Sequence, residues 1–375
     1  EILRCLVGSE MCIRDRFRSD PADWYTGHNY HETEVFGANL NATTQWKLGR
    51  TSMGVEFRNE GVRSNVLGKP MKEPQDVPFE KEGQYLKSDN RSNISYFLEH
   101  NVLLRRFTLS VGVLANYNSA LNEGIHFYPG IDASYRIKDN FRLYGSWNRA
   151  LRMPTFTDLY YEGKTNKGNP DLKPEESEAF EVGLKYNTYF LRAHIAGFYR
   201  KGKNMIDWVK EKPEDIWESR NLTKVDNLGF ETNLSLLPRE LGNERFFIRK
   251  IELGYAFIHQ DKDSEGYISN YALDYLKHKF TAQLSHSIWK GFSATWYVRW
   301  QDRAGSYTKY ENLKPAYEEP YAPYCLVDMK VNWEYQRLNL YAELNNLLNS
   351  TYYDLGNIPQ PGIWFKAGFR YSFKY

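Results

Sequence analysis

The 375-residue chain carries 49 Lys and Arg against 47 Asp and Glu, a formal net charge of +2, which gives no electrostatic reason to expect a nucleic-acid partner. A mean hydropathy of −0.67 and the lack of any eighteen-residue apolar run exclude a transmembrane helix. Aromatic residues make up 16% (29 Tyr, 21 Phe, 10 Trp), a content expected of membrane-barrel girdles or of stacking surfaces for ligands.

The chain opens on CLVGSEMCIRDR, Cys5 to Arg16, which has two cysteines, mixed charge and no period. Leu6 to Asp15 resemble the one-frame translation of a transposase-type sequencing adapter, so residues 1–16 are expected to be an artefact outside the fold. The first thirty residues hold no signal-peptide apolar region, and the N-terminus of an exported protein is expected to be missing. Cys5, Cys12 and the distant Cys325 fit neither a disulfide framework nor a metal spacing.

From about residue 30 the chain alternates apolar and polar residues in about fifteen or sixteen segments, many of them ten residues long or more. Tight turns are expected near Leu48-Gly49, Lys138-Asp139-Asn140, Asn187-Thr188, Lys290-Gly291 and Gln336-Arg337. Long connections are expected over 63–88, 153–175, 203–216, 260–276, 303–323 and 349–361. Phe180 to Tyr186, Phe292 to Trp300 and Cys325 to Tyr335 all show the period of two. In the last strand Ile363, Phe365, Ala367, Phe369 and Tyr371 share one face, while Lys366, Gly368 and Arg370 share the other. Soluble sandwiches and propellers use shorter strands and would leave this aromatic face uncovered. The fold expected is therefore all-β: a transmembrane antiparallel β-barrel, with tight turns at one end and long loops at the other.

Two stretches carry a family likeness. After Ser146 come Arg152, Pro154 and Phe156, then Leu159-Tyr160-Tyr161, then Asn169, Pro170, Leu172, Pro174 and Glu175, and an alternating strand. Asn346 to Tyr352 and Pro361 to Phe365 then precede the final strand. Both resemble motifs of the TonB-dependent outer-membrane receptors. Phe156 to Gly163, Ile206 to Lys210 and Tyr275 to Gly291 look most like the cobalamin-receptor branch and its siderophore and haem relatives. The resemblance implies a barrel of about 22 strands, plugged by an N-terminal domain. On that plan residues 17–375 are the C-terminal part, with the plug, the TonB-binding segment and the first strands missing.

What the resemblance implies for function is import of a scarce large ligand (a corrinoid, siderophore-bound iron or haem) by a monomeric barrel. It would sit in outer-membrane lipid and couple to the TonB complex through the missing N-terminal part. The alternatives are a TonB-dependent oligosaccharide receptor and a passive porin-type channel. No catalytic elbow, zinc-protease motif or phosphate loop is present, so neither an enzyme nor a resident cofactor is expected. No metal site is expected either, since the eight histidines have no ligand spacing.

Candidate ligand contacts are the loop aromatics Tyr160, Tyr161, Trp208, Trp217, Tyr307, Tyr310 and Tyr317, which offer flat apolar surface. Arg152, Pro154, Asn169, Pro170, Leu172, Pro174 and Glu175 are read as shaping the barrel rim, the prolines holding an extended segment. Parity turns Arg142, Lys185, Arg192, Arg299, Asp328, Glu334, Glu343, Lys366 and Arg370 into the lumen as an ion-pair lattice, with His194 inward and His286 outward. The run Asp261, Asp263, Glu265 is read as a solvated charged loop.

Overall fold

The structure is a computed structural model. It describes residues 29–373, apart from 81–82, 122–123, 164, 213, 243–244, 264–265, 270–274, 312–313 and 357. The opening stretch with Cys5 and Cys12 thus lies outside the described residues, as does Glu265.

Fifteen strands form one antiparallel meander. They are β1 (His31–Trp46), β2 (Gly49–Ser64), β3 (Gln84–Leu103), β4 (Phe107–Asn118), β5 (Ile125–Lys138), β6 (Phe141–Arg152), β7 (Glu175–Asn187), β8 (Leu191–Lys210), β9 (Trp217–Leu236), β10 (Ile248–Asp263), β11 (Leu276–Trp289), β12 (Phe292–Arg303), β13 (Tyr324–Tyr335), β14 (Leu338–Asn345) and β15 (Trp364–Tyr371). Each pairs with the next along the chain. Three short strands, Lys69–Asp76, Asn166–Lys167 and Ile268–Ser269, join the same eighteen-stranded sheet at its long-connection end. The outer edges of β1 and β15 have no strand partner among the described residues.

Register fixes the two faces. Phe365, Ala367 and Phe369 stand opposite Leu344, Ala342 and Leu340 on one face, and Lys366 stands opposite Glu343 on the other. The apolar face is left exposed: Leu40 is 73% accessible, Val182 63% and Phe369 74%. A continuous apolar face of this kind is stable only against hydrocarbon. No described helix is long and apolar enough to cross a membrane, so the crossing elements are the strands. Aromatic contacts Trp46–His100, Phe141–Tyr186, Phe292–Trp333 and Trp333–Tyr335 gather beside the tight turns, as a girdle at one interface.

Several connections are shorter than the pattern suggested. The expected loop 203–216 is mostly strand, because β8 runs to Lys210 and β9 begins at Trp217. The loop 260–276 likewise loses its start to β10, which carries Asp261 and Asp263 opposite Asp226 and Lys224. Segment 63–88 folds back as Lys69–Asp76 on β3, and 303–323 is largely a hairpin, Ser306–Glu311 with Lys314–Pro320. Above the lipid both faces of a strand are wet, so alternation disappears while the hydrogen-bond ladder continues. The tight-turn end has one departure as well. Between β9 and β10 lies a longer connection built on a 3-10 turn, Pro238–Leu241, closed by left-handed Gly242 at φ 103°.

Candidate binding rim

The most buried side chains lie above the wall, at its long-connection end. Val209, Asp207 and Ser219 on the extended β8–β9 hairpin are almost wholly enclosed, and Leu172, Asp158 and Glu175 are buried beside it. Two groups of loops make this rim.

The first group is built on the β6–β7 connection. Arg152, at the end of β6, grips Glu175, at the start of β7, through two bonds of 2.6 Å each. Glu175 Oε1 also accepts the Ile206 backbone N–H at 2.8 Å, which ties the pair to β8. Between them runs a one-turn helix, α1 (Phe156–Tyr160), closed by a reciprocal cap between Thr155 and Asp158. The carbonyl of Pro154 accepts from Arg91 Nη1 at 2.5 Å. Arg91 itself pairs with Glu60 at 2.7 Å and lies 4.8 Å over the Phe156 ring. Asn169 donates its backbone N–H to the Asp158 carbonyl and turns the chain by accepting from Asp171 N. Pro170 and Pro174 bracket the buried Leu172. Asn221 of β9 then fastens this segment, exchanging two 2.9 Å bonds with the Lys173 backbone and donating to the Asn204 carbonyl.

This scaffold gathers four of the seven candidate aromatics. Tyr160 donates its hydroxyl to Asp89 Oδ2 at 2.6 Å, and burial followed by that bond raises its pKa above the usual tyrosine value. Tyr161 meets Trp208 edge to face at 6.5 Å. Trp208 stands on β8 opposite Ser219 and is only 8% exposed, so it is a wall residue packed behind Tyr161 rather than a loop tip. Trp217 begins β9, with Lys210 Nζ 4.5 Å from its ring.

The second group holds Tyr307, Tyr310 and Tyr317 on the Ser306–Pro320 hairpin. Tyr307 is 8% exposed and packs against Tyr321 at 5.1 Å and Tyr353 at 5.6 Å. Its hydroxyl donates to Glu319, which also pairs with Lys309 at 2.9 Å. Tyr310 stands opposite Pro315, and Tyr317 opposite Lys309 with its ring exposed. The neighbours that hold this hairpin were not singled out from sequence. Tyr324 donates to Asp354 Oδ1, Arg303 Nη1 donates to the Asp354 carbonyl at 2.5 Å, and the Arg303 guanidinium covers Tyr321 at 4.7 Å. Asp89, Arg91 and Glu60 were missed in the same way, because they meet the motif from strands about 63 residues or more away. Among the described residues no cluster of three His, Cys, Asp or Glu is placed to hold a metal ion.

An antiparallel wall with an apolar outer face, a polar inner face and an ordered rim of long loops defines a segment of an outer-membrane β-barrel. The family profile described as TonB dependent receptor-like, beta-barrel matches residues 9–347; the chain belongs to that family. It is 26% identical to the vitamin B12 transporter BtuB of Vibrio vulnificus, over 45% of this chain and 36% of that protein. The iron-regulated outer membrane virulence protein of Vibrio cholerae is also 26% identical, over 53% of this chain and 33% of its own length. Among solved structures, the ferric enterobactin receptor PfeA of Pseudomonas aeruginosa superposes with a TM-score of 0.70 at 18% identity, covering 94% of this chain and 56% of that one. The siderophore receptor PirA of the same organism gives 0.65 at 15% identity, with 92% and 56% covered. These structural likenesses establish the fold. The chain spans about a third of the curated relatives it matches and somewhat over half of the solved receptors. Receptors of this family reside in the outer membrane, and this barrel is placed there with them.

Proposed function

We propose that the chain is the C-terminal barrel part of a receptor that captures a scarce, large ligand at its loop rim and imports it across the outer membrane by TonB-dependent coupling. The observation that carries this reading is an ordered, aromatic-rich rim fixed to a wall that the family profile matches over most of its length. Corrinoids, ferric siderophores and haem are the ligand class, supported by the B12 and iron-related names of the relatives. Tyr160, Tyr161, Trp217 and Tyr317 are the contact residues on this reading, and Trp208 and Tyr307 hold them in place. The plug and the TonB-binding segment belong to a part of the protein preceding these strands. The outer edges of β1 and β15, which have no strand partner among the described residues, would each leave a row of backbone groups unsatisfied in hydrocarbon unless other strands cover them. Further strands closing the barrel as a monomer remove both edges, and residues 1–16 are proposed to stand outside that fold.

The test is ligand binding to the detergent-solubilised receptor that carries this barrel, using cyanocobalamin, a ferric catecholate siderophore, haemin and a maltodextrin. Saturable binding of one of the first three is expected, with cellular uptake that a protonophore abolishes. Binding of the maltodextrin alone would move the ligand class to oligosaccharides. Uptake of small solutes without saturation and without sensitivity to the protonophore would reduce the protein to a passive channel.

A further inference from the structure

The two ends of the wall handle charge differently. At the long-connection end cations and carboxylates are interspersed. Arg91 lies 2.7 Å from Glu60, Arg152 2.6 Å from Glu175 and Lys309 2.9 Å from Glu319, and Lys72 and Lys212 adjoin Glu73 and Glu211 in the chain. At the tight-turn end the turns are basic. Lys47, Arg105, Lys290 and Arg337 stand in the connections β1–β2, β3–β4, β11–β12 and β13–β14. All four are exposed, and none has an ion-pair partner among the described residues. Asp139 and Glu240 are the only acids among the described residues of the turns at that end.

Each of these cations also has a large apolar neighbour that is more than half accessible. Lys47 stands between Trp46 and Leu48, and Arg105 follows Leu104. Lys290 Nζ lies 5.4 Å from the centre of the Trp289 ring. Arg337 comes two residues after Tyr335, whose ring stacks on Trp333 at 5.8 Å. Trp333 in turn stands opposite Phe292 at the end of the apolar face, and Trp289 stands opposite the same Phe292. A cation beside an uncovered apolar side chain is a costly pair in water. Where hydrocarbon gives way to headgroups both halves are satisfied, the apolar one pointing inward and the cation reaching outward.

We propose that these turns form a collar that gathers anionic phospholipids, by their headgroup phosphates, from the leaflet at the tight-turn end of the barrel. The proposal rests on the membrane-spanning barrel but not on the identity of the imported ligand. Placement identifies the partner. The four turns run from the first hairpin of the wall to its last, so what they bind surrounds the barrel. An acidic protein would engage one sector only, and a soluble anion would leave the apolar neighbours uncovered. Successive hairpin turns lie two strand spacings apart, about 10 Å, so each cation meets a separate headgroup. A zwitterionic headgroup brings its own ammonium and compensates these cations in part. A phosphodiester without one compensates them fully, through charge-assisted bonds.

The experiment reconstitutes the receptor that carries this barrel in phosphatidylcholine vesicles, with a trace of spin-labelled phosphatidylglycerol or of spin-labelled phosphatidylcholine. The motionally restricted fraction of each label gives its relative association with the protein. Phosphatidylglycerol is expected to be favoured about threefold or more, and the preference should shrink as salt is raised. Lys47→Gln, Arg105→Gln, Lys290→Gln and Arg337→Gln combined should bring the ratio close to one, while Lys47→Arg with Lys290→Arg should keep it. Lys72→Gln, Lys173→Gln, Lys201→Gln and Lys212→Gln combined remove as many cations at the long-connection end and should leave the ratio unchanged. Heat-modifiable migration on gels reports that each variant is folded. The proposal is overturned if the folded receptor shows no preference, if the collar variant keeps it, or if the long-connection variant loses as much of it. Loss of the preference to inorganic phosphate at constant ionic strength would also overturn it, by reducing the collar to small-anion sites. Ligand capture at the rim is measured separately, so a failure of either reading leaves the other standing.

Discussion

Arg152 and Glu175 show what one planar side chain does for the long connection 153–174. The guanidinium fork meets both carboxylate oxygens, and the carboxylate also holds the Ile206 N–H, so a single pair locks β6, β7 and β8. An ammonium cannot reproduce two parallel bonds. Arg152→Lys is expected to lower stability by about 1–2 kcal/mol, and Arg152→Ala by about 3 kcal/mol, since Glu175 then stays buried without its counter-charge. Urea unfolding followed by gel mobility measures both, and an unchanged midpoint for the alanine variant would show that the pair is dispensable. The motif spacing made these two residues visible in the sequence. Their meeting with Arg91, Asp89 and Asn221 was not visible, because those residues belong to strands whose register only the folded sheet defines. The same holds for two glycines facing the lumen. Tyr144 lies over Gly183 and Tyr341 over Gly368, where an added Cβ would fall 2.6 Å and 2.4 Å from the tyrosine. A methyl at either position must push an aromatic ring aside.

Among the elements, the Ser306–Pro320 hairpin is held by few groups, and most of them titrate. Bonds from Lys309, and next from the Tyr307 hydroxyl, hold the Glu319 carboxyl below its usual value of 4.5. Burial, and next the bond to Glu319, raises the Tyr307 hydroxyl above 10.0. The Glu319 bond also raises Lys309 above 10.5. The signs then set the window. The Glu319 contribution is present above pH 4.5 and lost as pH falls through its lowered value, while those of Tyr307 and Lys309 are fully present below their ordinary values of 10.0 and 10.5 and lost as pH rises through their raised ones. A nitroxide at the exposed position 317 (Tyr317→Cys in a background with Cys5, Cys12 and Cys325 all replaced by Ser) should therefore stay immobile at neutral pH and loosen at both extremes. Tyr307→Ala, which removes two ring contacts, should loosen it at every pH and cost about 2–3 kcal/mol of local stability. A spectrum independent of both pH and Tyr307 would mean that the hairpin docks by other contacts. From sequence this stretch read as loop, since its strands lie above the lipid and alternate no longer.

At the scale of the whole molecule, the sequence is most legible where the surroundings differ most between two faces. Between lipid and lumen, every second residue must be apolar, and β7, β12, β13 and β15 could be read residue by residue. Beyond the lipid that constraint lapses, and the 203–216 segment was misassigned for that reason. The outer face also yields the clearest test of the fold. Val182 lies near the middle of β7, 63% exposed, with Phe180 and Leu184 on the same face. Lys185, three positions on, points to the opposite face. If the exposed side of this wall meets hydrocarbon, Val182→Arg should cost about 2–4 kcal/mol in lipid bilayers, the figure for a cation at the midplane of a barrel. Gly183 has no room for the comparison, so the matched control is Ser146→Arg, whose position faces the hydrated lumen between Asp132 and Glu181. A polar channel lined by acids accommodates that guanidinium at little cost. Reversible urea unfolding in phosphatidylcholine vesicles measures both. Equal costs at the two positions would mean that the faces do not differ in polarity, and the membrane-spanning barrel would have to be abandoned; a large penalty at 182 beside a small one at 146 is what a wall between lipid and water requires.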